Sequence, residues 1–481
     1  MRADRAGLLL AAVALLASCR PIARLTRAEG DGGWTPARRQ EALAEIASRA
    51  NVSLDAAPPP APPAGPLDLP TVVAMAAANN RRVGEAVEQL AIARERVNDA
   101  RGRLLPATTG SGRYSWYSDA QTIKAPPLPG VPRDSRFTFR ENELGVLNGT
   151  AVMPIDLSGE LRHALAASQA AYRGERARLW ATTLEQQRAA INAYFALLAA
   201  IRLREVTDQR VALQRDQLDH ARSRFDSGRL TKNEMLVVAV ALETTEAERI
   251  QRDLDIDRAR WTLNETIGLT VDAPTEVADV GVRPITPSAP DALRMAYAAN
   301  PMLVGLLEEQ QRLDEAAQSL ARSRFPRFNG GGTIDYSNTS VAAPRDIASG
   351  FVGFTLDLGT DGRREADIAA ARHGAEQNRI AIEGALRALE SAIRGAQRAV
   401  EARLAALDAA EKSVGQAEEN LRIRQQQFDA GRATSDDVLD AEALLSVQRA
   451  TLATARYEAH TRRAELQQLM GLPLEDVVAP R

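Results

Sequence analysis

Apolar residues recur along this chain in two registers. A seven-residue period dominates, and a two-residue alternation interrupts it. Leu386, Ile393, Val400, Leu407, Val414, Leu421 and Phe428 stand seven apart without exception, with Leu389, Ala396, Ala410 and Ala417 as companions and Arg403 and Arg424 as breaks. The same phase earlier in the chain gives Ala190, Leu197, Val211, Leu218 and Phe225, broken at Arg204. A strict heptad keeps its seam only if the helices supercoil left-handedly, and Ala in the seam lets them approach closely. The pattern predicts two helices of about 67 residues, near 160–226 and 363–429, each roughly 100 Å long at 1.5 Å per residue.

Both long helices run into the same phrase. Phe225-Asp226-Ser227-Gly228-Arg229-Leu230-Thr231 is answered 203 residues later by Phe428-Asp429-Ala430-Gly431-Arg432-Ala433-Thr434. Gly228 and Gly431 suit the left-handed position just past a helix end. Thr231 and Thr434 suit the cap of a new helix, with Glu234 and Asp437 three residues on to complete a capping box. Each copy is therefore the tip of a helical hairpin, whose second helix runs about 37 residues to Gly268 or Gly471.

The alternation lies elsewhere. Val352, Phe354, Leu356 and Leu358 point one way and Phe351, Gly353, Thr355 and Asp357 the other, and Tyr114 and Trp116 alternate with Ser115 and Tyr117. Two strands per copy are expected, near 107–118 and 143–155, then 328–338 and 348–358. Before each pair a helix of about 37 residues is expected, over 69–105 and 289–325, ended by Pro106 or Pro326. Two short helices placed end to end match one long one, so they are expected to stack along it.

The body is thus one unit written twice, over 67–286 and 287–472, with a tail at 473–481. Landmarks correspond in order: Asn79-Asn80 with Asn300-Pro301, Leu105-Pro106 with Phe325-Pro326, and Asp156-Leu157-Ser158-Gly159 with Asp357-Leu358-Gly359. The offset falls from 220 to 201 between the second and third landmarks, so the first copy has a longer loop between its strands.

Composition narrows the function. Aromatic residues make up only 4% of the 481 residues and the formal net charge is -3, which fits thin, closely packed helices and gives no basic field for nucleic acid. The four His are far apart in sequence and no Ser has a nucleophile's setting, so no catalytic constellation, cofactor motif or metal-ligand spacing is present and an enzyme is not expected. The lone Cys is Cys19, which ends an apolar run that follows Arg2 and Arg5. The run is too short to span a bilayer and marks residues 1–18 as a signal peptide. Leu16-Ala17-Ser18-Cys19 resembles a bacterial lipobox, which implies cleavage before Cys19 and its acylation; an ordinary signal peptide with a chance Cys is the alternative, and the place of the lone Cys at the end of the apolar run favours the lipid. Residues 19–66, with a Pro/Ala run at 56–66, read as a tether.

Four strands cannot close into a barrel, and an open sheet edge is not tolerated in lipid, so strands that span a bilayer must come from several chains. Tyr114, Trp116, Tyr117, Phe137, Phe139, Tyr336 and Phe351 sit where aromatic belts would lie. A soluble sheet capping a helical rod remains the alternative.

Taken in order and twice over, the landmarks and the Gly-Arg-x-Thr tips resemble the outer-membrane factor (TolC-like) family of bacterial efflux and secretion ducts. The resemblance implies a mainly α fold with a transmembrane β part: long coiled-coil α-hairpins and four strands per chain. As a homotrimer these would form a twelve-stranded β-barrel and a twelve-helix α-barrel. It also implies a passive exit duct, without cofactors, for small molecules delivered by a periplasmic adaptor and an inner-membrane pump. A lipid anchor in the outer membrane and a long periplasmic extension go with it. A protein-secretion duct and a non-conducting periplasmic coiled-coil scaffold are the rival readings.

The charged residues of interest lie at the second tip. Asp436, Asp437 and Asp440 crowd the start of the last helix, and Asp437 and Asp440 share one face. A helix N-terminus favours acids, which accounts for Asp437 but leaves Asp440 needing another reason. The resemblance implies that Asp437 and Asp440 line the narrowest point of a periplasmic aperture, a cation-selective ring in which crowding raises some pKa values, with Glu234 as the first copy's acid. Gly228, Arg229, Leu230, Thr231, Phe428, Gly431, Arg432 and Thr434 are the candidate gate and adaptor-docking tip. Phe428 and Ala433 stand where family members with a described gate carry Tyr and Arg, and an Arg432–Glu234 bond is a candidate substitute.

Overall fold

The long helices have the predicted bounds. In the computed structural model, which describes residues 65–124, 129–130, 132, 136–279, 287–339, 344–357 and 362–474, they run Glu160–Asp226 and Arg363–Asp429, each 67 residues. In chain order the elements are α1 (Leu69–Asn79), α2 (Arg81–Gly102), β1 (Ala107–Trp116), β2 (Gln121–Lys124), β3 (Arg136–Arg140), β4 (Glu143–Ile155), α3 (Glu160–Asp226) and α4 (Lys232–Thr266). The second half follows with α5 (Ala289–Ala299), α6 (Pro301–Arg322), β5 (Arg327–Ser337), β6 (Asp346–Thr355), α7 (Arg363–Asp429) and α8 (Ser435–Met470). The signal peptide, Cys19 and the tether lie outside the described residues.

Heptad positions form the seams. Ile393, Val400, Leu407 and Leu421 on α7 are buried, as are Ala190, Leu197, Val211 and Leu218 on α3. The run frays at its ends, where Leu386 is 38% and Phe225 37% exposed. The interruptions are accommodated by charge: Arg204 pairs with Asp253 at 3.0 Å and Arg403 with Glu458 at 2.7 Å. The largest core lies midway along α3. There Leu184, Ile191, Tyr194, Phe195 and Leu197 meet Val72 and Val73 of α1, Leu263 of α4 and Tyr457 of α8.

The expected helices over 69–105 and 289–325 are each two helices, a correction with one cause. Asn80 and Asn300 leave the helical conformation (ψ 131° and 118°) and cap a new helix, Asn80 Oδ1 accepting from Arg82 N at 2.9 Å and Asn300 Oδ1 from Met302 N at 3.0 Å. Each side-chain amide also donates to the last turn of a distant helix, Asn80 to the Thr266 carbonyl at 2.9 Å and Asn300 to the Leu469 carbonyl at 2.8 Å. The asparagines thus bolt the start of α2 to the end of α4 and the start of α6 to the end of α8. Only the 22-residue helices α2 and α6 continue the lower helices end to end, while α1 packs on α3 and α5 on α7 and α8.

Four strands form one antiparallel sheet in the order β1-β4-β5-β6, so β1 and β6 are edges with no partner within the chain. The expectation of four strands is extended by β2 and β3, which form a separate two-stranded hairpin in the first copy's longer loop. Among the described residues no helix is long and apolar enough to cross a membrane.

Candidate functional site

The two tips are built alike. Gly228 and Gly431 take φ of 72° and 67°, and behind them Arg229 N donates to Arg224 O and Arg432 N to Gln427 O, both at 2.8 Å. This closes each long helix by satisfying carbonyls that have no partner in its last turn. Both capping boxes are complete. Glu234 Oε2 accepts from Thr231 N at 2.9 Å and Asp437 Oδ2 from Thr434 N at 2.8 Å, and each threonine hydroxyl accepts the acid's own N–H at 3.3 Å.

These bonds hold both acids in the charged form. Hydrogen bonds from the Thr231 hydroxyl and N–H lower the Glu234 pKa, and those from the Thr434 N–H and hydroxyl lower that of Asp437. Arg424 stands 4.0 Å from Asp437 and acts in the same direction. Asp436 and Asp440 are exposed, Asp440 one turn beyond the cap. Arg229 and Arg432 are exposed, with Leu230 half-buried between the tips' caps and their glycines. Among the described residues Arg432 forms no ion pair within its own chain, so the Arg432–Glu234 bond allowed by the sequence is not made inside one copy.

A different residue ties the two tips together. Arg224, in the last turn of α3, donates to Asp429 Oδ1 at 3.0 Å and reaches the Phe428 carbonyl at 3.5 Å, with its guanidinium 4.4 Å from the centre of the Phe428 ring. Behind this tie the hairpins enclose a cavity of about 300 Å³ lined by Leu213, Gln217, Val238, Phe428, Ser435 and Val438. Farther in, Glu442 of α8 is 2% exposed and accepts a hydrogen bond from Gln217 of α3 through Oε1, while its Oε2 has no partner. Burial pushes its pKa up to about 8, against the pull of Arg210. Arg224 and Glu442 were not singled out from sequence. The available signal was inequality between copies, since Gln427 and Ala239 stand in their places.

Among the described residues no group of three or more His, Cys, Asp or Glu is placed to hold a metal ion. The chain thus forms a long coiled-coil body with an acidic, tied tip at one end and an open sheet at the other. The family model described as outer membrane efflux protein matches residues 72–269 and 292–472. The chain belongs to this outer-membrane factor (TolC-like) family.

Solved structures agree on the fold. The outer membrane protein VceC of Vibrio cholerae superposes with a TM-score of 0.71 at 18% identity, over 84% of this chain and 96% of that one. The CmeC outer membrane channel of Campylobacter jejuni gives 0.71 at 16% identity, over 84% and 85%. The open state of the MtrE outer membrane channel of Neisseria gonorrhoeae gives 0.66 at 18% identity, over 84% and 89%. By sequence alone no curated protein matches. The chain is accordingly an outer-membrane efflux channel protein, and its family is one of channels rather than enzymes.

Proposed function

We propose that three copies of this chain form the passive exit duct of a tripartite exporter, gated at the α3–α4 and α7–α8 tips. The observation that carries the trimer is the sheet with two open edges. Unpaired backbone groups on β1 and β6 are costly in hydrocarbon, and joining β6 of one copy to β1 of the next removes every edge once the ring closes. The side chains fit lipid contact, since Tyr114, Trp116, Val352 and Phe354 are all more than 60% exposed in a single copy. Cys19, acylated, is proposed to anchor the chain in the outer membrane, with 19–66 as tether.

At the other end, Asp437 and Asp440, with Glu234 beside them, would converge around the threefold axis as a ring of carboxylates that selects cations. Gly228, Arg229, Leu230, Gly431 and Arg432 present exposed backbone and charge to a periplasmic adaptor coupled to an inner-membrane pump. The Arg224 tie to Phe428 and Asp429 holds the hairpins together at rest. Planar-bilayer recording of the purified protein tests this. A small cation-selective conductance is expected, losing its selectivity in Asp437→Asn/Asp440→Asn and rising several-fold in Arg224→Ala. A protein that forms no channel even with Arg224 removed would refute the duct.

A further inference from the structure

The β2–β3 hairpin has no role in the duct as described, and its side chains are unusual for this molecule. It springs from the end of the β1–β4 pair farthest from the helices, beyond Trp116 opposite Glu143. Register places Ile123 opposite Phe137 on one face and Lys124 opposite Arg136 on the other, with Thr122 opposite Thr138. Ile123 and Phe137 are each 59% exposed, and Phe139, at the register shift, is 51% exposed. Arg140 closes the base, its guanidinium 4.1 Å from the Tyr117 ring centre and its Nε without a hydrogen-bond partner.

Two features of this hairpin are costly without a ligand. Like charges directly opposite each other destabilise a strand pair, and an isolated two-stranded hairpin is marginal in water. Several arginines elsewhere in the protein are matched to carboxylates, as Arg173 is to Glu308 and Arg215 to Glu246. Among the described residues none of Lys124, Arg136 and Arg140 forms an ion pair. An anion seated between Lys124 and Arg136 turns their repulsion into two charge-assisted hydrogen bonds. The exposed apolar side chains on the other face need a nonpolar medium. One partner supplies both, a membrane lipid whose headgroup carries phosphate.

We propose that the β2–β3 hairpin is a binding surface for phosphate-bearing anionic lipid in the leaflet where the barrel emerges. Lys124 and Arg136 hold the phosphate, Arg140 is poised by Tyr117 as a further donor, and Ile123, Phe137 and Phe139 enter the acyl boundary. Basic side chains above an apolar face are the arrangement by which amphipathic segments settle at anionic interfaces. Packing of the hairpins on one another around the ring is the competing arrangement, and it would bring three copies of the unpaired cations together. The proposal rests on the sheet spanning the outer membrane.

The test uses the full protein in mixed micelles containing phosphatidylglycerol or phosphatidylcholine, with retained lipid counted by native mass spectrometry. Retention of phosphatidylglycerol over phosphatidylcholine is expected, falling about tenfold in Lys124→Gln/Arg136→Gln and falling with added salt. Phe137→Ser/Phe139→Ser is expected to retain less of both lipids while leaving the preference for phosphatidylglycerol over phosphatidylcholine unchanged. Equal retention by wild type and the Lys124→Gln/Arg136→Gln variant overturns the proposal. So does efficient disulfide formation between copies bearing Phe137→Cys, which shows the hairpins covering one another. Bilayer conductance of the same variants keeps the duct separate: a variant that conducts normally but retains no lipid isolates the hairpin, and lipid retention decides the proposal whether or not a channel forms.

Discussion

The two hairpin tips share a backbone and differ in chemistry. Both close on a left-handed glycine, and both open the next helix with a complete threonine–acid box. Beyond the caps the copies part. Val237 and Ala239 on α4 correspond to Asp440 and Glu442 on α8, and Gln427 on α7 corresponds to Arg224 on α3. The repeated residues are those that a helix–turn–helix needs locally. The unrepeated ones supply the tie, the buried carboxyl and most of the acid, so the two copies share a fold and differ in the chemistry of their tips.

The largest effect expected within this comparison concerns glycines that resemble each other by conformation alone. Gly431 has φ 67° and open space around its missing Cβ, whereas at Gly471, φ 71°, a Cβ would run into the Ala299 carbonyl. Gly431→Ala should cost about 1 kcal/mol, the price of a left-handed alanine. Gly471→Ala should cost about 4 kcal/mol, because backbone must also give way where α8 meets the Asn300 bolt. Thermal or denaturant unfolding of the two variants measures the gap, and equal losses would mean the bolt is loosely packed.

Next comes the buried carboxyl. The Glu442 pKa of about 8 lies above its unfolded value, so the folded state holds a proton that the unfolded state has released between about pH 4.5 and 8. Stability therefore falls as pH rises through that window. Glu442→Gln keeps an acceptor for Gln217 and removes the charge. It should stabilise by on the order of 3 kcal/mol above pH 8 and by little near pH 4. Ala239→Glu, which writes the same acid into the half-buried site of the first copy, should not reproduce this pH dependence. A Glu442→Gln gain that is flat with pH would place the carboxyl in water.

How far the sequence carried these conclusions follows from the range of the forces involved. The heptad seams, the tips and both capping boxes depend on residues within a few positions of one another, and their bounds were readable. The helix break at Asn80 was not, although Asn300-Pro301 carries a start signal. The asparagine's second bond reaches a carbonyl 186 residues away, which no local pattern contains. β2 and β3 escaped because alternation over four and five residues is short, and Pro126, Pro127 and Pro129 between them read as loop. At the tips, Glu234 and Asp437 take the expected capping positions and Gly228 and Gly431 the expected left-handed turn. Arg224 and Glu442 acquire meaning only from which helix lies against which. Within one copy the capping bonds lower the pKa of Glu234 and Asp437; the expected rise belongs to carboxylates brought together from several copies.

The smallest expected effect asks whether the caps are as equivalent as they look. Thr231→Ala and Thr434→Ala each remove one side-chain acceptor from a helix start, and each should cost about 1 kcal/mol. The acids they release should titrate closer to ordinary carboxylates. Because the intact cap lowers the acid's pKa, the acid's share of the loss is present above the unfolded value and fades as pH falls through the folded one, so the gap between wild type and variant should narrow in acid to the share of the uncharged hydroxyl–N–H bond. Amide exchange at Glu234 and Asp437 should quicken by about fivefold in the matching variant only, in proportion to that loss. A much larger loss at Thr434 than at Thr231 would tie the second cap to Arg424 and the cavity wall, making the tips unequal in their scaffolding as well as in their charge.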